Sequence, residues 1–456
     1  MPPKFGTSGL RGLVVELTAD LVADHVQAFI RTCPTGTGLF VGRDLRPSSP
    51  GIAGMVAAAA RGGGLAVTDC GAVPTPALAL AAMNAGAAAV MVTGSHIPAD
   101  RNGLKFYTPD GEISKTHEAA ILGALGGLRD VDQGPEVIQD TTAGATYVAR
   151  YVAAYDRALT GLRIGVYNHS AVGRDLQLDI FAALGADIVE LGRADHFIPV
   201  DTEAVDPAIR EQLKAWAVAH QLDAIVSTDG DGDRPLMTDA TGEVIVGDVL
   251  GQITGAALGA TVAVTPVSSN TGAESKFGTV IRTRIGSPYV IAGMESTTGN
   301  IVGYEANGGF LLGFAAQGPT GELPPLMTRD AVLPLVAPLA LAKAAGGIAA
   351  LVAAEPARFT AADRLQEVPT QMSLALVAKF DTNPDARAAF LAGFDGVEAH
   401  IDRMDGLRMT LVDGRIVHLR PSGNAPELRL YVEAGSPAAA LATLETGLGT
   451  LRKALG

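Results

Sequence analysis

The sequence predicts an α/β protein: three related α/β domains with mixed sheets, followed by a smaller C-terminal α+β domain. Three observations lead there. A pattern of apolar run, polar loop, Ala/Leu-rich helix and second apolar run occurs three times, and such strand–helix–strand units build parallel or mixed sheets. At 456 residues the chain is too long for one hydrophobic core. After about residue 365 the pattern changes to short alternating strands with a tight hairpin turn.

In chain order, the first repeat has a strand at Gly38–Arg43, a helix through Ile52–Arg61 and a strand at Leu65–Thr68. The second has Leu162–Tyr167, a helix Leu176–Leu184 and a strand Asp187–Leu191. The third has Thr261–Thr265, a polar helix start at Thr271–Phe277 and a strand Thr279–Thr283. In the last part, strands are expected at Leu374–Phe380, Gly406–Val412, Arg415–Leu419 and Glu427–Val432. Asp413-Gly414 makes the turn, and an amphipathic helix closes the chain from Pro437 to Leu455. The resulting domains are 1–140, 141–247, 248–365 and 366–456.

Bulk properties narrow the function. A net charge of −14 and a pI near 5.0 exclude a broad nucleic-acid or anionic-membrane surface, which needs clustered Lys and Arg. Cys33 and Cys70 stand in no metal or redox spacing, as expected of a cytoplasmic protein with structural thiols. No signal peptide is evident. Pro334, Pro338 and Lys343 break the apolar stretch Ala331–Ala354, so it cannot supply the ~20 apolar residues of a spanning helix.

Four loops carry candidate chemistry, and a fifth near the start supports them. The central one follows the apolar run Ala88–Val92, where Thr93-Gly94-Ser95-His96 puts a hydroxyl at the rim of a buried strand, with Lys105 within reach of the returning chain. Alone it could equally be a turn or a helix N-cap. Near the start, Gly6-Thr7-Ser8-Gly9-Leu10-Arg11 offers backbone donors and the charge of Arg11 to an anion; a plain turn would look the same. After the apolar strand Ala224–Ser227 comes Thr228-Asp229-Gly230-Asp231-Gly232-Asp233-Arg234. Glycines between alternate aspartates let three carboxylates converge on one hard cation. Three such charges repel unless a cation is present, which favours a metal site over a solvated acidic loop. An EF-hand would need Gly in place of Arg234 and Glu in place of Ala240. Three ligands leave positions open for Mg²⁺ bound together with a phosphate oxygen.

The third loop, Tyr304-Glu305-Ala306-Asn307-Gly308-Gly309, has the carboxylate and carboxamide to grip vicinal sugar hydroxyls. The fourth, Arg420-Pro421-Ser422-Gly423-Asn424, with Arg429 on the strand beyond, is a phosphate cradle or a hairpin with a structural Arg. With one loop per domain, a single site at the four-domain junction would transfer a phosphoryl group on a phosphosugar.

At this point the chain resembles the α-D-phosphohexomutase family over its whole length, with the motifs in the family's order. Thr93–His96 with Asn102-Gly103-Leu104-Lys105 is similar to the family's phosphoserine loop. Asp229, Asp231 and Asp233 match its Mg²⁺ loop, Glu305 its sugar loop, and Arg420–Gly423 its phosphate loop. The resemblance implies that Ser95 is phosphorylated and completes the Mg²⁺ shell. It also implies a hexose 1,6-bisphosphate as intermediate and activator. Lys105 becomes the expected general acid/base, with His96 and Arg11 orienting the phosphoserine and Arg234 pairing with phosphate or the metal loop. The chain departs from the family at Ile97, Ser287, Gly309 and Asn424, and the histidines missing at 287 and 309 leave one acid/base role unassigned. The Thr-Gly-Ser-His and Glu-x-Asn-Gly-Gly forms look more like phosphomannomutase/phosphoglucomutase members. The expected reaction is therefore mannose 6-phosphate to mannose 1-phosphate, then glucose phosphates, then glucosamine phosphate. A phosphosugar-binding regulatory protein is the non-enzyme alternative, which the intact Ser95 and aspartate trio disfavour. The expected partner is a phosphosugar, with neither nucleic acid nor membrane, in a monomer or homodimer.

Overall fold

The computed structural model describes residues 3–6, 9–127, 134–422 and 426–455. The chain divides into two compact units, Met1–Val264 with Gly286–Ala354, and Thr265–Ile285 with Glu355–Gly456.

The first unit holds three mixed sheets. The first runs in the order Lys4–Phe5, Leu10–Leu13, Arg101–Thr108, Ala88–Val92, Leu39–Arg43, Val67–Ala72, Ile138–Gln139. Helices Ala19–Thr32 and Ser49–Gly62 supply Val22, Val26, Phe29, Ile52 and Val56 to its core, against Leu39, Val41, Val90 and Phe106. The second runs Asp187–Leu191, Arg163–Tyr167, Ala224–Thr228, Pro235–Thr238, Val244–Ile245. In the third, Val262–Pro266 lies parallel to Ile301–Tyr304, followed by antiparallel Phe310–Leu312 and Leu326–Asp330. The strands Ala88–Val92, Ala224–Thr228 and Ile301–Tyr304 are buried throughout. That explains why they read as unbroken apolar or small-residue runs and not as alternations.

The second unit is an antiparallel sheet in the order Phe359–Leu365, Leu428–Ala434, Ile416–Pro421, Leu407–Leu411, Glu398–Asp402, packed by helices Thr370–Thr382, Pro384–Ala392 and Pro437–Leu455. Here one expectation fails. Leu374–Phe380 is not a strand but part of the helix Thr370–Thr382. The residues it buries are Ser373, Leu376 and Phe380, three and four apart, while Leu374 is exposed. The short apolar run satisfied both periods, and the helical one prevails because Phe380 stacks on Phe390 of the next helix. The third repeat's expected helix is only a 3₁₀ turn, Thr271–Ser275, and falls in the second unit with strand Thr279–Thr283. Among the described residues no helix is long and apolar enough to cross a membrane.

Each unit holds a buried imidazole. In the second, His418 sits against the Asp405 carbonyl at 2.6 Å and stacks on Tyr431, and burial pushes its pKa down to about 4. The folded value lies below the unfolded value of about 6.5, so this neutral ring stabilises the fold above pH 6.5 and loses that contribution as pH falls toward 4. Between pH 6.5 and 5 the expected loss is roughly 2 kcal/mol. Urea unfolding of wild type and His418→Gln across that window measures it; equal pH slopes for the two proteins would remove His418 as the cause.

Candidate active site

Three loops leave the first unit's sheets at equivalent places. Ala88–Val92, Ala224–Thr228 and Ile301–Tyr304 each have a parallel neighbour on one side and an antiparallel neighbour on the other. At their carboxyl ends stand Thr93–His96, Asp229–Arg234 and Glu305–Gly309, where open α/β sheets place ligands.

Ser95 is buried and has a φ of 53°, a left-handed conformation rare outside glycine. The turn is held from several sides. The Ser95 amide donates to Thr93 Oγ1 at 2.7 Å, and Thr93 Oγ1 donates to Asp44 at 2.8 Å. Arg11 donates to the Thr93 carbonyl at 2.7 Å. The strongest clamp is Arg46, which is buried and pairs with Asp44 at 3.1 Å. It also donates to the carbonyls of Ser95 (2.9 Å), Ile97 (2.5 Å), Pro98 (2.6 Å) and Arg101 (2.9 Å). Its guanidinium also lies over the Phe197 ring at 4.0 Å. A Cβ at Gly94 would stand 2.4 Å from Arg46 Cζ, so only glycine fits between the strand and the serine. Arg46 and Asp44 escaped the sequence reading because Arg43–Ser49 looks like an ordinary strand-to-helix turn.

Ser95 Oγ donates to Asp229 Oδ2 at 2.5 Å and lies 3.2 Å from His96 Nδ1. Arg234 donates to the same His96 nitrogen at 3.0 Å, and Asp201 lies 4.0 Å from the other. Burial, reinforced by the Arg234 charge, pushes His96 down to about 3, so the ring is neutral and accepts at Nδ1.

Asp229, Asp231 and Asp233 are fully buried, with ligand atoms all within 4.8 Å of one another. Lys105, from the strand Arg101–Thr108, reaches across to Asp231 and Asp233 at 2.5 Å each. Thr75 donates to Asp231 at 2.7 Å. Burial and the neighbouring carboxylates push Asp229 well up. At Asp231 burial also pushes up, but Lys105 outweighs it and the carboxyl ends below its ordinary range. Asp231 Oδ1 and Asp233 Oδ1 are buried without a hydrogen-bond partner. Converging carboxylates with unshared buried oxygens fit a hard divalent cation such as Mg²⁺.

Glu305 and Asn307 lie side by side: Asn307 Nδ2 donates to Glu305 Oε2 at 3.4 Å, and Asn307 Oδ1 accepts from the Gly309 amide at 3.0 Å. Arg329, also missed from sequence, lies 2.9 Å from Asp233 and 3.7 Å from Glu305. Ser287 donates to Glu112 at 2.9 Å, on the neighbouring hairpin. In the second unit, Arg420 and Arg429 are cross-strand partners, held by Asp405 at 2.9 Å and Glu427 at 3.6 Å, and the Ser422 amide donates to Glu427. Thr7, Ser8, Gly423 and Asn424 lie outside the described residues.

Three segments match phosphoglucomutase/phosphomannomutase models: residues 2–127 the α/β/α domain I, 239–359 the α/β/α domain III, and 364–446 the C-terminal domain. The chain is 45% identical over 474 residues to a phosphomannomutase of Sinorhizobium fredii, covering 100% of both chains. It is 42% identical to a phosphomannomutase of Salmonella muenchen (99% and 96% covered) and 30% identical to a phosphoglucosamine mutase of Frankia casuarinae (99% and 98%). The crystal structure of a phosphoglucomutase/phosphomannomutase family protein from Burkholderia thailandensis has the same fold, with a TM-score of 0.78 at 23% identity, covering 98% of this chain and 96% of the other. A serine against a buried carboxylate trio, on this architecture, defines an enzyme of phosphate transfer. The chain belongs to the α-D-phosphohexomutase family.

Replacing Arg46 with Met removes the Ser95 loop's shared donor and leaves Asp44 buried without its cation. The expected loss is about 3–5 kcal/mol in urea unfolding, with part recovered by adding Asp44→Asn. Full stability in Arg46→Met would show that the loop holds itself.

Proposed function

We propose that this phosphohexomutase carries its phosphoryl group on Ser95 and moves phosphate between O6 and O1 of a hexose through a 1,6-bisphosphate. The observation that carries this is the 2.5 Å contact of Ser95 Oγ with Asp229, inside a buried cluster that also holds Lys105. In the transfer step the P–Oγ bond of phospho-Ser95 breaks and a P–O bond to a sugar hydroxyl forms. The hydroxyl proton leaves to a general base and Ser95 Oγ takes up a proton as the P–Oγ bond breaks; we assign this acid/base exchange to Lys105, while His96 and Arg11 hold the loop. Asp229, Asp231 and Asp233, with Ser95, would hold Mg²⁺, which when bound neutralises charge on the transferring group. Arg234 is assigned to phosphate or the metal loop, and Glu305 and Asn307 to the sugar. Arg420, Ser422, Gly423, Asn424 and Arg429 are assigned to the distal phosphate. The fourfold division at about 140, 247 and 365 belongs to the same proposal, as does activation by hexose 1,6-bisphosphate.

Mannose 6-phosphate is the proposed substrate. In support, the relatives at 45% and 42% identity are named phosphomannomutases, while the phosphoglucosamine mutase stands at 30%. The test is a panel of mannose, glucose, glucosamine and N-acetylglucosamine 1-phosphates, with Mg²⁺ and trace bisphosphate. Mannose 1-phosphate should show the highest kcat/KM; a preference for glucosamine 1-phosphate overturns the assignment.

Two further results are expected. Ser95→Ala should lower turnover by at least about 10⁴-fold and abolish phosphate incorporation seen by mass spectrometry. Chelation by EDTA should abolish activity, and added Mg²⁺ should restore it. Ordinary turnover by Ser95→Ala would exclude the phosphoserine route.

A further inference from the structure

Arg329, on the strand Leu326–Asp330, is 2% exposed. Three carboxylates from separate elements converge on its guanidinium: Asp233 at 2.9 Å, Glu305 at 3.7 Å and Glu112 at 4.0 Å. Two features fix it there. The adjacent Asp330 accepts hydrogen bonds from the buried phenols of Tyr147, at 2.5 Å, and Tyr151, which pins the strand end. The Arg329 stem also crosses Gly309, where an added Cβ would stand 2.8 Å from Arg329 Cδ and 3.1 Å from Cγ. Gly309 is not left-handed, unlike Gly308 with its φ of 85°, so handedness is not what keeps a side chain away. The lack of a side chain at 309 answers first to Arg329, with Asn307 Oδ1 next at 3.2 Å.

We propose that Arg329 is a positioning residue for phosphoryl transfer: one fork-shaped cation fixes Asp233 of the carboxylate trio relative to Glu305, in space that Gly309 leaves open. The inference rests on the phosphoryl-transfer reading above. Lysine could not replace it, since the three partners are met by two different nitrogens of one planar fork, which a single ammonium does not span.

The test compares the full-length wild type with Arg329→Met, Arg329→Lys, Gly309→Ala and the Gly309→Ala/Arg329→Met double variant. Steady-state kinetics, Mg²⁺ binding by calorimetry and Ser95 phosphate content by mass spectrometry are the readouts. Arg329→Met should lose roughly 10- to 100-fold in kcat with KM little changed, and Arg329→Lys should not restore it. Removing a cation beside Asp233 should at the same time tighten Mg²⁺ binding by at least about 3-fold, a split that simple misfolding does not produce. Gly309→Ala should slow turnover in the wild-type background and add less than about 2-fold in the Arg329→Met background. Wild-type kcat in Arg329→Lys, or a loss matching only the unfolded fraction with Mg²⁺ affinity unchanged, overturns the proposal while Ser95 still carries phosphate. Absence of phosphate on wild-type Ser95 overturns it together with the reading beneath it.

Discussion

Three carboxylates, fully buried and within 4.8 Å of one another, are the constraint on which the first unit depends. At an effective dielectric constant of about 20, each ionised pair would repel by roughly 3 kcal/mol, so the trio fully ionised and unaided would oppose folding by an amount comparable to a domain's stability. The unit meets this with cations from elsewhere in the chain. Lys105 comes from the first sheet and Arg329 from the third, while Arg11 and Arg234 flank the trio. Lys105 and Arg329 are themselves buried, so each of these charges is tolerable only because the others are present. The network is also short of hydrogen bonds at two carboxylate oxygens, the asymmetry expected of a site shaped for a further cation.

The geometry that makes this possible is topological. In each sheet the functional loop follows the strand at the change from parallel to antiparallel pairing. That strand is covered on both faces, so its end is rigid, and the loop leaving it has few positions open to it. Ser95 takes its left-handed conformation at such an end, held by Arg46 through four carbonyls.

Much of this was legible in the sequence. The buried strands Ala88–Val92 and Ala224–Thr228 announced themselves as apolar runs, and the aspartate spacing at 229, 231 and 233 could bring three carboxylates together whatever the surrounding fold. The residues that stayed hidden act over long separations. Arg46 matters because residues 95–101 fold back over it, and Arg329 because Asp233 arrives beside it from another sheet and Glu305 from a distant loop of its own. Neither stands in a local pattern that distinguishes it from a surface arginine. The misread run Leu374–Phe380 failed for the complementary reason: a short apolar stretch fits either period until its neighbours choose.

The pairing of Lys105 with Asp231 and Asp233 has a bearing on how the chain assembles. The first sheet contributes an ammonium and the second a cluster of acids, and neither is neutral by itself. Formed separately, each would hold its rim in water, where the charge is solvated. The rims can become dry only together, so the two sheets are electrostatic complements, and the long-range attraction between them favours their meeting in the productive orientation.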